Sequence, residues 1–194
     1  MKLLLLTIGT CILSMSNLTY GQTQLPIDVN LSNIKWFGEY TFYFGGHDGT
    51  IRFEEGHFIK TGDVITGGEF VIDMNSIVCL DIENEEATSG LVDHLKDPDF
   101  FDVINYPKAK LSITRVEYHD PVNMKVYADL TVKGITEPID FQAKVDFEKE
   151  EMITKFKIDR MRWDISYNSS MRDSAISDAI GFDIVLKLAK PSEK

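Results

Sequence analysis

Basic residues, cysteines and long apolar runs are all scarce in this chain, and each scarcity removes a class of function. Lysine and arginine number 20 against 31 aspartates and glutamates, giving a formal charge of −11. So acidic a chain is repelled at long range by phosphate backbones and anionic headgroups, which argues against nucleic acid and acidic membrane surfaces as partners. Cysteine occurs twice, at Cys11 and Cys79. Beyond residue 21 Cys79 stands alone, so no disulfide forms within that part, and such a thiol reads as a small buried apolar residue. The sustained apolar run, from Leu3 to Leu13, is shorter than the roughly 20 residues of a bilayer-spanning helix. No later segment is apolar enough to span a membrane.

Signatures of catalysis and of metal binding are missing as well. His47, His57, His94 and His119 show none of the paired spacings of a zinc site, so no metal is expected and they read as rim or surface residues. His94 stands apart because two phenylalanines follow it closely; it could meet a polar ligand head group, but capping the local backbone is the preferred reading. The acidic run Asp81–Glu86 lacks the ligand spacing and central glycine of a calcium loop and reads as a solvated loop. Gly62 and Gly67-Gly68 lack the Lys-Ser/Thr and helix of a phosphate cradle and read as turns or bulges. No nucleophile elbow is present, and the serines of Asn168-Ser169-Ser170 sit in a polar loop. Asp159-Arg160 suggests a buried ion pair or clamp that holds a strand end in place. The chain is therefore expected not to be an enzyme and to carry no catalytic residue.

What is present begins with a leader. Lys2 precedes the apolar run, and small or polar residues follow to Thr19-Tyr20-Gly21. This order is that of a secretory signal, with a cut after Gly21 and a periplasmic or secreted mature chain starting at Gln22. The residues before Cys11, Ile8-Gly9-Thr10, fit a lipobox poorly. The remaining 173 of the 194 residues suit one domain, 22–194, burying roughly 70% of its unfolded surface.

Strict alternation then dominates. Val122, Met124, Val126, Ala128, Leu130 and Val132 share one parity, and Ile139, Phe141, Ala143, Val145 and Phe147 share another. Period two marks strands with one dry face; Gly134 and Pro138 bracket the turn between these two. Comparable runs lie at 34–40, 50–58, 65–74, 109–118, 152–158 and 182–188, with turns at Gly45-Gly46, Thr61-Gly62-Asp63 and Asp120-Pro121. About eight strands at hairpin spacing predict an all-β protein, an antiparallel eight-stranded barrel or sandwich. One short helix is predicted, capped by Ser89, with Leu91 and Leu95 on one face and a stop at Asp97 before Pro98. Phe100 and Phe101 follow and need burial, for which an open barrel end is the natural place.

Several tracts together resemble the YceI-like family: Gly67-Gly68-Glu69-Phe70-Val71-Ile72-Asp73-Met74, the segment from Leu91 to Phe101, Tyr106-Pro107-Lys108-Ala109, Leu130 to Ile139, and Ile158-Asp159-Arg160. Met161-Arg162-Trp163-Asp164 departs from the family in being bulkier and more charged. The resemblance implies an exported lipocalin-like barrel, with no enzymatic activity and no cofactor, whose lumen holds a polyisoprenoid or other long-chain lipid. On that expectation the lumen is lined by Ile34, Trp36 and Phe53, by Phe70 and Ile72, by Leu111, Ile113 and Leu130, and by Phe141, Phe156, Phe182 and Ile184. His94, Leu95, Phe100 and Phe101 would close one end. From the residues alone the same side chains could equally fill a solid core, and a one-residue slip would turn many of them outward.

Energetics favour a long ligand. A buried methylene contributes about 0.8 kcal/mol, whereas association costs roughly 4–15 kcal/mol. Ten or more methylenes, nominally about 8 kcal/mol, begin to prevail. Two rivals remain open: a lipid-acting hydrolase or isomerase with a base and nucleophile in the lumen, and a solid barrel serving as a structural or stress-response interaction module. A homodimer that buries an open mouth against a second copy is compatible with the sequence.

Overall fold

The computed structural model describes residues 21–42, 44–167 and 173–190. The expected leader up to Tyr20, Cys11 within it, and Asn168-Ser169-Ser170 lie outside the described residues. Nine antiparallel strands form one closed sheet: β1 (Gln22–Pro26), β2 (Asn33–Tyr40), β3 (Gly46–Thr61), β4 (Val64–Cys79), β5 (Lys108–Tyr118), β6 (Asn123–Val132), β7 (Ile135–Asp146), β8 (Glu151–Asp159) and β9 (Ile176–Lys187), with helix α1 (Glu85–Lys96) between β4 and β5. The nine segments fill eight positions. β1 and β2 both pair with the long β3, from Gln22↔Thr61 to Pro26↔His57 and from Ile34↔Ile51 to Glu39↔Gly46. They are one strand interrupted by a turn, in which the Asp28 carboxylate accepts the N–H groups of Asn30 and Leu31. Pairing of β3 with β4 and of β2 with β9 closes the ring, so no long sheet edge is left.

The alternating tracts are strands, as their period requires. Along β6 Met124, Val126, Ala128, Leu130 and Val132 are all buried. Four details differ from the sequence expectation. Phe147 lies past the end of β7 and is 58% exposed, because the turn after Asp146 releases it from the inward parity. Pro138 does not bracket a turn; it lies inside β7 opposite Asp129, the turn being Lys133-Gly134. Proline is accommodated there because β7 pairs with β8 only from Ala143 to Asp146, which leaves the earlier half of β7 without that neighbour. The acidic run is not simply a solvated loop. Asn84 caps α1 by accepting the Ala87 N–H, and Glu85 and Glu86 occupy the first turn, where the helix dipole favours negative charge. Ser89, expected as the cap, lies within the helix and is exposed.

β3 and β4 each run 16 residues and must bend to stay in a barrel. Their register jumps between Thr50↔Val78 and Arg52↔Asp73, and the Ser76 hydroxyl accepts the Arg52 N–H freed by the bulge. The two barrel ends differ. One holds the tight turns β3–β4, β5–β6 and β7–β8 and is filled by Met124, Val126 and Val145, all buried. The other carries α1, the β2–β3 connection and a 3-10 turn, Arg160–Trp163.

Candidate functional site

Inward-facing hydrocarbon does not meet across the barrel axis. It surrounds a cavity of about 280 Å3 that opens toward the α1 end, close to the lower limit of roughly 300 Å3 for small-molecule sites. All twelve residues expected to line the lumen do line it: Ile34, Trp36, Phe53, Phe70, Ile72, Leu111, Ile113, Leu130, Phe141, Phe156, Phe182 and Ile184. They come together because each occupies the inward parity of its strand at a shared level, as in the pairs Ile34↔Ile184, Trp36↔Phe182, Phe156↔Phe182 and Leu111↔Leu130. The aromatic rings pack along the wall and not across it. Phe141 stacks on Phe156 at 4.6 Å, Phe156 tilts against Phe182 at 5.5 Å, and Phe70 meets Phe58 edge-on at 5.1 Å. Thr154, a buried residue of this wall, donates its hydroxyl to the Gln142 carbonyl at 2.7 Å.

Leu91, Leu95, Phe100 and Phe101 lean over the open end and belong to the cavity wall. Asp97–Phe100 and Asp97–Asp102 backbone bonds fold the chain back after the helix and bring the two phenylalanines under it. His94 is not in the wall. Its ring stacks on Tyr167 at 4.2 Å and tilts against Phe100 at 5.7 Å, and its Nε2 is buried without a hydrogen-bond partner. It backs the closure through ring packing, and the expected backbone cap is not what this nitrogen makes.

Arg160 anchors the same end. Its guanidinium, fully buried, donates to the carbonyls of Ile165, Ser177 and Asp173 and to the carboxylates of Asp173 and Asp178. The sequence pairing with Asp159 is not made; Asp159 caps the 3-10 turn by accepting the Met161 N–H. Burial works to raise the Asp173 carboxyl, but hydrogen bonds from Arg160 and the Tyr167 N–H outweigh it and hold the group below its ordinary value. The 3-10 turn fills the gap where β7 and β8 are unpaired: Arg162 reaches the Pro138 carbonyl and Glu137, and the fully buried Trp163 donates to the Leu130 carbonyl at 3.0 Å. The bulky Met161–Asp164 segment thus plugs the wall.

Comparison with known proteins accords with this architecture. A family model for the YceI-like domain matches residues 25–188, nearly the whole barrel. The chain belongs to the YceI-like family. A UPF0312 protein of Pseudomonas putida strain GB-1 is 24% identical over 146 residues, covering 75% of this chain and 73% of the relative; one from strain W619 matches equally. Among solved structures, Burkholderia cenocepacia BcnA superimposes with a TM-score of 0.71 at 16% identity over 84% of this chain and 99% of its own. A Campylobacter jejuni YCEI protein mutant holding a monobromobimane guest gives 0.54 at 18% identity over 96% and 100%. At such identities the structures establish the fold.

One feature of this YceI-like barrel was missed by the sequence reading. On the inner rim of the open end, the Tyr40 hydroxyl lies 2.7 Å from His47 Nε2, His47 Nδ1 lies 3.1 Å from Asp81, and the Cys79 thiol donates to Asp81 at 3.0 Å. These residues are 34 and 2 positions apart in pairs, and the β3–β4 register joins them. Burial, then the hydrogen bond to Asp81, pushes the Cys79 thiol up. Burial also works to raise Asp81, but bonds from Cys79, the Asp48 N–H and His47 win and hold it down. The Cys79-x-Asp81 pair next to an inward strand end was the available signal. A second group, His94, Asp97 and Asp99, gathers beyond α1.

Proposed function

We propose that this YceI-like barrel is a binding protein that holds a long-chain apolar lipid, a polyisoprenoid or a molecule of similar shape, in its lumen. The observation that carries the reading is the cavity wall itself, formed by aliphatic and aromatic side chains from eight strands, β2 to β9, and α1. Burial of such surface is non-directional and scales with area, so this wall selects apolar length and leaves the head group at the open end. There the polar atoms are concentrated: Glu39, Tyr40, His47 and Ser177 border the mouth. An acidic, exported carrier of this kind would take its lipid from a membrane or partner without resting on an anionic surface.

A lipid-acting enzyme is less well supported. The Thr154 hydroxyl is spent on the Gln142 carbonyl, and the Ser177 hydroxyl accepts the Ala179 N–H. A solid interaction module would need ordinary interior density, which a cavity of about 280 Å3 departs from. Native mass spectrometry of protein purified gently from its own envelope tests the proposal. The expected result is a bound mass that extraction identifies as a long-chain lipid, and that Leu111→Trp, which fills the lumen, removes while the melting temperature is retained. Absence of any lipid, together with failure of the stripped protein to take up long-chain prenyl compounds, would refute it.

A further inference from the structure

We infer that His47, Cys79 and Asp81 form a transition-metal site, suited to Zn2+, at the rim of the lumen. The donor atoms of the three side chains all lie within 4.8 Å of one another. Cys79 Sγ lies 3.0 Å from Asp81 Oδ1 and His47 Nδ1 3.1 Å from Asp81 Oδ2; an ion held by bonds of about 2.0–2.3 Å would replace these two hydrogen bonds. One thiolate, one imidazole and one carboxylate suit zinc and disfavour magnesium and calcium, which want oxygen alone. Three protein ligands leave a fourth position for water, and His47 and Tyr40 border the cavity.

The supporting contacts are those a metal site requires. A ligating histidine is fixed through its other ring nitrogen, and the Tyr40 hydroxyl is placed at His47 Nε2, 2.7 Å away. The Asp48 N–H fixes the carboxylate through Asp81 Oδ1 at 3.1 Å. In the metal-free protein, protons occupy the centre: the thiol proton and a His47 proton both bridge to Asp81. On binding, Cys79 gives its Sγ proton to solvent as the sulfur–metal bond forms. His47 binds through Nδ1 with its ring proton on Nε2, where the Tyr40 oxygen accepts it, and no redox change occurs. The Trp36 indole lies over Gly49, the register partner of Cys79, and its Nε1 is buried with no hydrogen-bond partner.

The test uses the full folded chain, stripped with a chelator under reducing conditions and titrated with Zn2+ and then Co2+. One ion per chain is expected, with a thiolate-to-cobalt charge-transfer band in the near ultraviolet. Cys79→Ser and His47→Gln are expected to weaken binding at least 100-fold, and Tyr40→Phe by about 10- to 100-fold. Absence of uptake by the wild-type chain overturns the assignment, as does uptake without the thiolate band or uptake unchanged in Cys79→Ser. The cobalt spectrum of the unmutated chain decides the matter even if a variant fails to fold.

Discussion

Arg160 is the residue on which the open end most depends, because its fully buried charge is divided among two carboxylates of different exposure. Asp173 is 22% exposed and Asp178 66%. Removing the more buried partner should therefore cost more: Asp173→Ala is expected to lower unfolding free energy by about 1.5–3 kcal/mol and Asp178→Ala by under about 1 kcal/mol, measured by urea unfolding. The Asp173 contribution should also fade in acid. Its folded-state pKa is depressed below the unfolded value of about 3.9, so the folded chain binds fewer protons through that range. The stabilisation is complete above the unfolded pKa and disappears as pH falls through the folded one. The gap in urea midpoint between wild type and Asp173→Asn should close between about pH 5 and pH 2; a gap independent of pH would contradict the assignment. Gly49 is constrained differently. A Cβ there would stand 1.8 Å from the Val78 carbonyl oxygen and 2.6 Å from the Trp36 ring, and backbone cannot yield as a flexible side chain does. Gly49→Ala should destabilise by at least about 2 kcal/mol. None of this was visible residue by residue, since Asp173, Asp178, Trp36 and Val78 are brought to their partners by strand register.

The elements were legible in proportion to how cleanly one face is dry. β6 and β7 alternate because their outer faces meet water, and the pattern gave their extent to within a few residues. β1, with the sequence Gln-Thr-Gln-Leu-Pro, has too few apolar positions to announce itself; it is a strand because β3 offers it a partner. The same holds for the Gly46–Gly49 start of β3, where glycine and polar residues hide the period. The helix start was missed because Asp81–Glu86 looks like solvated charge until Asn84 is seen to cap it. That reassignment has a direct check: Asn84→Ala should cost about 1 kcal/mol, whereas Ser89→Ala, at an exposed mid-helix position, should change stability little, as read from thermal or urea melts. The reverse order would return the cap to Ser89.

For the whole molecule, strand count and the absence of intervening helices left a barrel or a sandwich, and the residues alone did not separate a hollow interior from a solid one. Phe70, Leu111, Leu130 and Phe141 have the same chemistry whether they touch one another or face empty space; only the three-dimensional spacing of their strands separates a core from a lumen. An unfilled apolar wall has a thermodynamic consequence if it is a binding site. Ligand held only by the folded state at 100 times its Kd adds about 2.7 kcal/mol, so lipid-loaded protein should melt measurably higher than stripped protein. Equal melting temperatures at saturating long-chain lipid would weigh against occupancy of the lumen. The charge of −11 adds that such loading should be slowed, not helped, by anionic vesicles at low salt.

The plug of Met124, Val126 and Val145 makes the vessel a blind one. A molecule threaded into a passage with one opening leaves in reverse, and a newcomer cannot push past it. Exchange would then wait on departure: its rate would be set by the outgoing molecule and would not rise with the concentration of the incoming one.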